Sequence, residues 1–140
     1  LAILSFMGCK KTQIFTHTFN NNSWNYEDSI VFGFDIADTT RSYSISVFFR
    51  NTINYPYQNL FLFSKINYEE TLVKGDTLEY LMANKYGQWV GRGLGKLKDN
   101  YFIINPSYEF SNIGRHQITI CHGMRSPLLK GCNQIGFKIE

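Results

Sequence analysis

Cys9 is the residue with the clearest possible chemistry, because it directly follows an uncharged, almost wholly apolar run and precedes Lys10 and Lys11. Gly8 supplies the small residue that a signal peptidase needs beside the scissile bond. A cysteine thiol at this position can accept a diacylglycerol. We therefore predict that residues 1–8 are a signal-peptide remnant and that Cys9 is the lipidation site. The alternative is an apolar edge strand with a buried cysteine.

A second group of possible ligands or nucleophiles lies towards the C-terminus, at His116, Cys121, His122 and Cys132. The C-x2-4-C pair that is typical of structural zinc sites is missing, so we expect no metal site. Cys121 ends one predicted strand and Cys132 precedes another. They either form a disulfide across the intervening loop or remain two unpaired small apolar residues.

The cluster Gly91–Gly95 (GRGLG) could be mistaken for a phosphate-binding loop. Its spacing is G-x-G-x-G, whereas the dinucleotide fingerprint is G-x-G-x-x-G between a strand and a helix. We predict a glycine-permitted bend or bulge beside Trp89 instead. The sequence contains no Gly-x-Ser-x-Gly elbow, and no catalytic motif joins its three histidines to an obvious Ser or Cys nucleophile. We therefore expect no enzymatic activity, no cofactor and no small-molecule substrate.

Composition limits the kind of fold and partner. The chain has 140 residues, the size of one domain, and its 16% aromatic content, mostly Phe and Tyr, favours strands. A net charge of +3 with scattered basic residues argues against a nucleic-acid partner. Period-two alternation predicts the main strands at Ile30–Ile36, Tyr43–Phe49, Leu60–Ile66, Thr77–Leu81, Tyr101–Ile104, Gln117–Cys121 and Ile135–Ile139.

These elements predict an all-β protein, a single-domain antiparallel β-sandwich over residues 28–140. Residues 9–27 are predicted to be a lipid-anchored tether that leads into the domain. Arg50–Phe63 is expected to form the core hairpin, with Tyr43, Ile45, Val47 and Phe49 facing inward. Leu60–Ile66, apolar at almost every step at first, is expected to be buried on both faces.

Several stretches in order along the chain resemble the gliding-motility lipoproteins of the GldH type, from the Bacteroidetes. The most specific is Arg50–Phe63 (RNTINYPYQNLFLF). Cys121 and Cys132 depart from the family pattern, so no family disulfide is carried over. The other matching stretches are Asn22–Trp24, Asp38-Thr39, Asp76–Glu79, Gly87–Gly93 with Gly95, Met124–Leu128 and Ile135–Glu140.

The resemblance implies a membrane-anchored lipoprotein that faces the periplasm, on the inner or the outer membrane, and is needed for gliding. It also implies a link to type IX secretion and contacts with other gliding-motility or type IX secretion proteins. It transfers no catalytic residue.

Two hypotheses of molecular function follow. In the first, the protein assembles with motility proteins through a surface that contains Tyr55, Tyr57, Trp89 and Arg92, residue types that dominate interface hot spots. In the second, it is a carbohydrate- or surface-polymer-binding module that uses Trp24 or Trp89. The alternative for Trp89 is that it only caps the core.

Overall fold

The computed structural model describes residues 11–140, so the predicted signal remnant and Cys9 lie outside the described residues. Within that range the only helical element is a 3₁₀ turn at Asn20–Asn22, and no helix has the length and apolarity needed to cross a membrane. The strands are β1 (Gln13–Thr18), β2 (Ser23–Asn25), β3 (Ile30–Ile36), β4 (Ser42–Thr52), β5 (Asn59–Tyr68), β6 (Thr71–Leu81), β7 (Leu97–Glu109), β8 (Gly114–His122), β9 (Leu128–Lys130) and β10 (Cys132–Ile139).

Two four-stranded antiparallel sheets form the fold, as predicted for an all-β sandwich. Sheet I has the order β1-β10-β4-β7 and sheet II the order β3-β8-β5-β6, while β2 and β9 form a separate short ribbon. The inner faces of the sheets meet in one apolar core. For example, the rings of Phe34 in sheet II and Phe137 in sheet I lie 5.1 Å apart.

Strand β4 confirms the predicted inward register. Tyr43, Ile45, Val47 and Phe49 are all buried, with exposed fractions between 0% and 5%. The alternation is reliable because successive side chains of a strand point to opposite faces, so one buried position dictates the rest.

The predicted hairpin over Arg50–Phe63 is wrong. β4 pairs with β10 and β7 in sheet I, whereas β5 pairs with β8 and β6 in sheet II. Residues 53–58 therefore cross from one sheet to the other, and the buried ring of Tyr55 packs edge-to-face on Phe49 at the crossing. This connection is longer than the two- to five-residue loops that usually join hairpin strands.

Burial of Leu60–Ile66 on both faces is likewise not observed. Leu60, Leu62 and Ile66 face the core with at most 1% exposure, but Phe63 points outward and is 44% exposed. The outer face of sheet II carries no covering layer among residues 11–140, so the strand is buried on one side only.

The sandwich begins before the predicted boundary at residue 28. β1 pairs with β10 along its whole length, and Trp24 of β2 is only 1% exposed. The Gln13 side chain also donates to Asp35 O (2.7 Å) and accepts from Asp35 N (3.0 Å), which covers part of the free edge of β3. β1 looks like a tether in the sequence because it is a mostly exposed edge strand, for which polar residues are suitable.

Candidate interaction surface

The two segments that contain the predicted surface residues Tyr55, Tyr57, Trp89 and Arg92 lie side by side at one end of the sandwich. Gln58 O accepts backbone hydrogen bonds from Met82 N (2.7 Å) and Ala83 N (3.1 Å). Ile53 N donates to Lys96 O at 3.1 Å. We call this end, residues 53–58 and 82–98, the tip surface.

Tyr55 does not belong to the exposed part of the tip surface, contrary to the prediction. It is 4% exposed, and its hydroxyl donates to Asn59 O at 2.7 Å. Burial raises the pKa of this phenol far above its ordinary value. Its ring packs edge-to-face on Tyr57 with centroids 6.2 Å apart. Tyr55 therefore supports the surface from below and cannot contact a partner itself.

The other three predicted residues do reach the surface. Tyr57 is half-buried, hydrogen-bonds Ser126, and lines a shallow cleft of about 400 Å³ with Met124. Trp89 is half-buried and packs against the core, so it covers part of the core while one side of it remains exposed. The Arg92 side chain is exposed, while its backbone exchanges hydrogen bonds with Asp99 (2.9 and 2.7 Å).

The tip surface is also apolar and basic, which sequence reasoning missed. No Asp or Glu occurs between Glu79 and Asp99, and Asp99 is itself paired with Arg50 at 2.6 Å. A count of acidic and basic residues along the sequence would have revealed this basic segment. The exposed apolar side chains are Ile53 (47%), Tyr86 (76%), Val90 (50%), Leu94 (101%) and Leu97 (40%), and the basic side chains are Lys85, Arg92, Lys96 and Lys98. Clusters of exposed apolar side chains are typical of interaction sites.

The glycines of this segment have a structural role, as predicted. A Cβ on Gly91 would lie 2.7 Å from Asn100 Oδ1. The Asn100 amide needs that space because its Nδ2 donates to Phe49 O and Asn51 Oδ1, both at 2.9 Å. Gly93 and Gly95 have positive φ angles of 144° and 83°, which bend the loop back into β7.

The cysteines and histidines do not form a common centre. Cys121 points outward on β8, whereas Cys132 is completely buried, so they do not form a disulfide with each other. His116 and His122 both face the core, but six residues apart on one strand they are separated by about 20 Å. Residues 11–140 contain no group of three or more side chains arranged to hold a metal ion.

His122 lies beneath the tip as a neutral imidazole. Its Nδ1 accepts from Met124 N (3.2 Å), so Nε2 carries the proton and donates to Trp24 O (3.0 Å). Burial lowers the pKa of His122 from its ordinary value of 6.5. Trp24 packs edge-to-face against His122 and is itself buried, which excludes Trp24 as a residue that stacks on a sugar.

We expect acid to destabilise the protein through His122. Because its folded-state pKa is below the unfolded value, the stabilisation is complete above about pH 6.5 and is lost as the pH falls from there through the folded-state pKa. The melting temperature should therefore drop between pH 7.5 and 5 by more in the wild type than in His122→Gln. An equal drop in both would show that His122 does not cause the acid sensitivity.

By its fold, the described part of the chain is a β-sandwich domain with an apolar, basic tip. Residues 14–139 match the model of the GldH lipoprotein family, so the chain belongs to that family of gliding-motility lipoproteins, which is not a known enzyme family. A gliding motility lipoprotein GldH homolog of Christiangramia forsetii is 30% identical, over 99% of this chain and 90% of its own. The gliding motility lipoprotein GldH of Flavobacterium johnsoniae is 29% identical, over 100% and 92%.

Solved structures resemble the chain only loosely. Dimeric latent PorU from Porphyromonas gingivalis aligns over 91% of this chain and 12% of its own, with a TM-score of 0.41 and 11% identity. The VP2 subviral particle of infectious bursal disease virus aligns over 93% and 32%, with a TM-score of 0.40 and 16% identity.

Proposed function

We propose that this protein is a periplasm-facing lipoprotein, anchored through a lipid on Cys9, that joins the gliding-motility machinery and its linked type IX secretion system through protein contacts. The relatives named as gliding-motility lipoproteins support the cellular role. The observation that carries the molecular role is the tip surface, where exposed apolar side chains and basic side chains lie together. Interfaces combine apolar contact area with charges that steer and orient the partner.

The direction of the chain supports this assignment. Gln13 lies beside Ile139, which lies beside Ile45, so β1 begins at the end of sheet I that is opposite the tip. From Ile45 to Thr52 β4 extends about 23 Å at roughly 3.3 Å per residue. The four residue steps from Cys9 to Gln13 span at most about 14 Å. With a lipid on Cys9, the tip is therefore directed away from the anchoring membrane, where a protein partner is accessible.

We expect Arg92→Ala and Leu94→Asp to abolish colony spreading and the copurification of motility proteins. Both side chains are exposed, so the stability change should stay within about 0.5 kcal/mol. If Arg92 is a hot spot, its loss should weaken partner binding by at least about 2 kcal/mol, roughly 30-fold. Spreading assays, pull-downs and melting curves measure the three effects. Tyr57→Ala should act in the same direction, although this half-buried ring also packs on Tyr55.

Matched controls come from the opposite end of the sandwich. Arg115→Ala removes an exposed arginine, and Leu72→Asp charges an apolar side chain that is 57% exposed. Both variants should spread normally. Normal spreading of the two tip variants, or equal loss in the controls, would refute the assignment of the tip surface.

A further inference from the structure

A separate surface, independent of the proposed function, lies on the outer face of sheet I. The strand register places Thr16, Gly136, Phe48 and Tyr101 in one row across all four strands. The neighbouring row contains Ile14, Lys138, Ser46 and Ile103. We call these eight residues the ring platform.

Gly136 leaves a groove in the middle of the ring platform. A Cβ there would lie 2.9 Å from Phe15 O, 3.3 Å from Thr16 Cγ2 and 3.4 Å from Phe48 Cβ. The sheet therefore has no side chain at its centre, and a groove of about 280 Å³ opens between Thr16 and Phe48. A glycine within a strand often marks such a site of close approach.

Two aromatic rings form the wall of this groove. Phe48 and Tyr101 are direct cross-strand partners with centroids 5.2 Å apart. Tyr101 is 76% exposed, and the adjacent Ile103 is 62% exposed. Cross-strand packing on Phe48 holds the Tyr101 ring in place, so the exposed face of Tyr101 is available to a flat apolar ligand with little loss of conformational freedom.

The charges around the ring platform are balanced. Lys138 is paired with Glu140 at 3.5 Å. Arg50, in the next row, is paired with Asp99 at 2.6 Å and lies over the Phe48 ring at 5.4 Å. The remaining polar groups are the hydroxyls of Ser46, Thr16 and Tyr101. This neutral face suits an uncharged polyhydroxyl ligand, whereas a nucleic acid or an acidic lipid surface would need unpaired cations.

We propose that the ring platform binds a neutral glycan chain. A pyranose ring has an apolar C–H face and a rim of hydroxyl groups. The C–H face stacks on Tyr101, the half-buried Phe48 ring forms the side of the groove next to it, and the hydroxyls hydrogen-bond Ser46, Thr16 and the exposed ends of the ion pairs. The groove at Gly136 lets the glycan chain approach the protein backbone closely. The face is open along the sheet, so it accepts the interior of a polymer and not only its end.

The test compares two tyrosines of equal exposure on the full-length protein in mild detergent. Tyr101 and Tyr86 are both 76% exposed, but Tyr86 lies on the tip surface. The probes are a soluble neutral β-glucan, a neutral mannan and, as the anionic control, alginate. Affinity electrophoresis and calorimetry should show saturable binding to at least one neutral glycan and none to alginate. Binding should fall at least tenfold in Tyr101→Ala and in Phe48→Ala, and stay unchanged in Tyr86→Ala.

Three results would overturn the proposal. The first is no binding to either neutral glycan, which would indicate that this face contacts a protein instead. The second is binding that survives Tyr101→Ala, and the third is stronger retention by alginate. Melting curves exclude misfolding, because Tyr101 is exposed and its truncation should leave stability nearly unchanged. The pull-downs of motility proteins are a separate measurement, so a negative result with glycans does not contradict the function proposed for the tip surface.

Discussion

Gly131→Ala should lower the free energy of unfolding by about 2–5 kcal/mol, a large loss for the addition of one methyl group. Gly131 has a φ of 79°, a region that costs an ordinary residue roughly 1–2 kcal/mol. A Cβ there would also lie 2.5 Å from Tyr55 Cα and closer still to Tyr55 N. Backbone must therefore shift, and such overpacking adds about 1–3 kcal/mol.

The consequence is large because Gly131 and Tyr55 connect the tip to the core. Gly131 O accepts from Thr52 N at 2.9 Å, and Tyr55 packs on Phe49. A domain of this size has roughly 5–15 kcal/mol of stability in total. Thermal unfolding should show a decrease of roughly 5–20 °C.

Gly95→Ala is the matched control for this substitution. Gly95 has nearly the same φ, 83°, but no atom lies within 4 Å of its Cβ position. It should therefore show the backbone strain alone, about 1–2 kcal/mol. Equal destabilisation by the two variants would mean that the contact with Tyr55 relaxes without cost.

Cys9→Ser should abolish membrane anchoring. Serine offers no thiol to the diacylglycerol transfer, so the variant should be soluble or remain unprocessed, and it should incorporate no labelled palmitate. One acyl chain binds a membrane only marginally, whereas the two chains of a diacylglycerol give stable attachment. Fractionation of cells into membrane and soluble parts measures the loss, which should be close to complete.

Cys121→Ser controls for the loss of a thiol, because Cys121 is a partly exposed cysteine of the folded domain. It should remain with the membranes and keep its lipid label. Membrane association of Cys9→Ser after removal of the signal segment would contradict lipid attachment at Cys9.

Local patterns determined the individual strands. The alternation from Tyr43 to Phe49 predicts the strand and its buried face together, because both depend on neighbouring residues of one strand. The glycines between Gly91 and Gly95 could be recognised as a bend for the same reason. The family, too, could be recognised from the sequence, since its motifs are contiguous stretches such as Arg50–Phe63.

Pairing between strands was decided by the tertiary structure. Whether β4 and β5 form a hairpin or lie in opposite sheets depends on which strands cover their edges, and those partners, β10 and β8, come from much later in the chain. The burial of Tyr55 follows from that crossing. The ring platform likewise exists only because four strands that are distant in sequence lie in register. A period-two pattern shows which face of a strand is buried. Which side chains lie next to one another on the exposed face depends on the neighbouring strands.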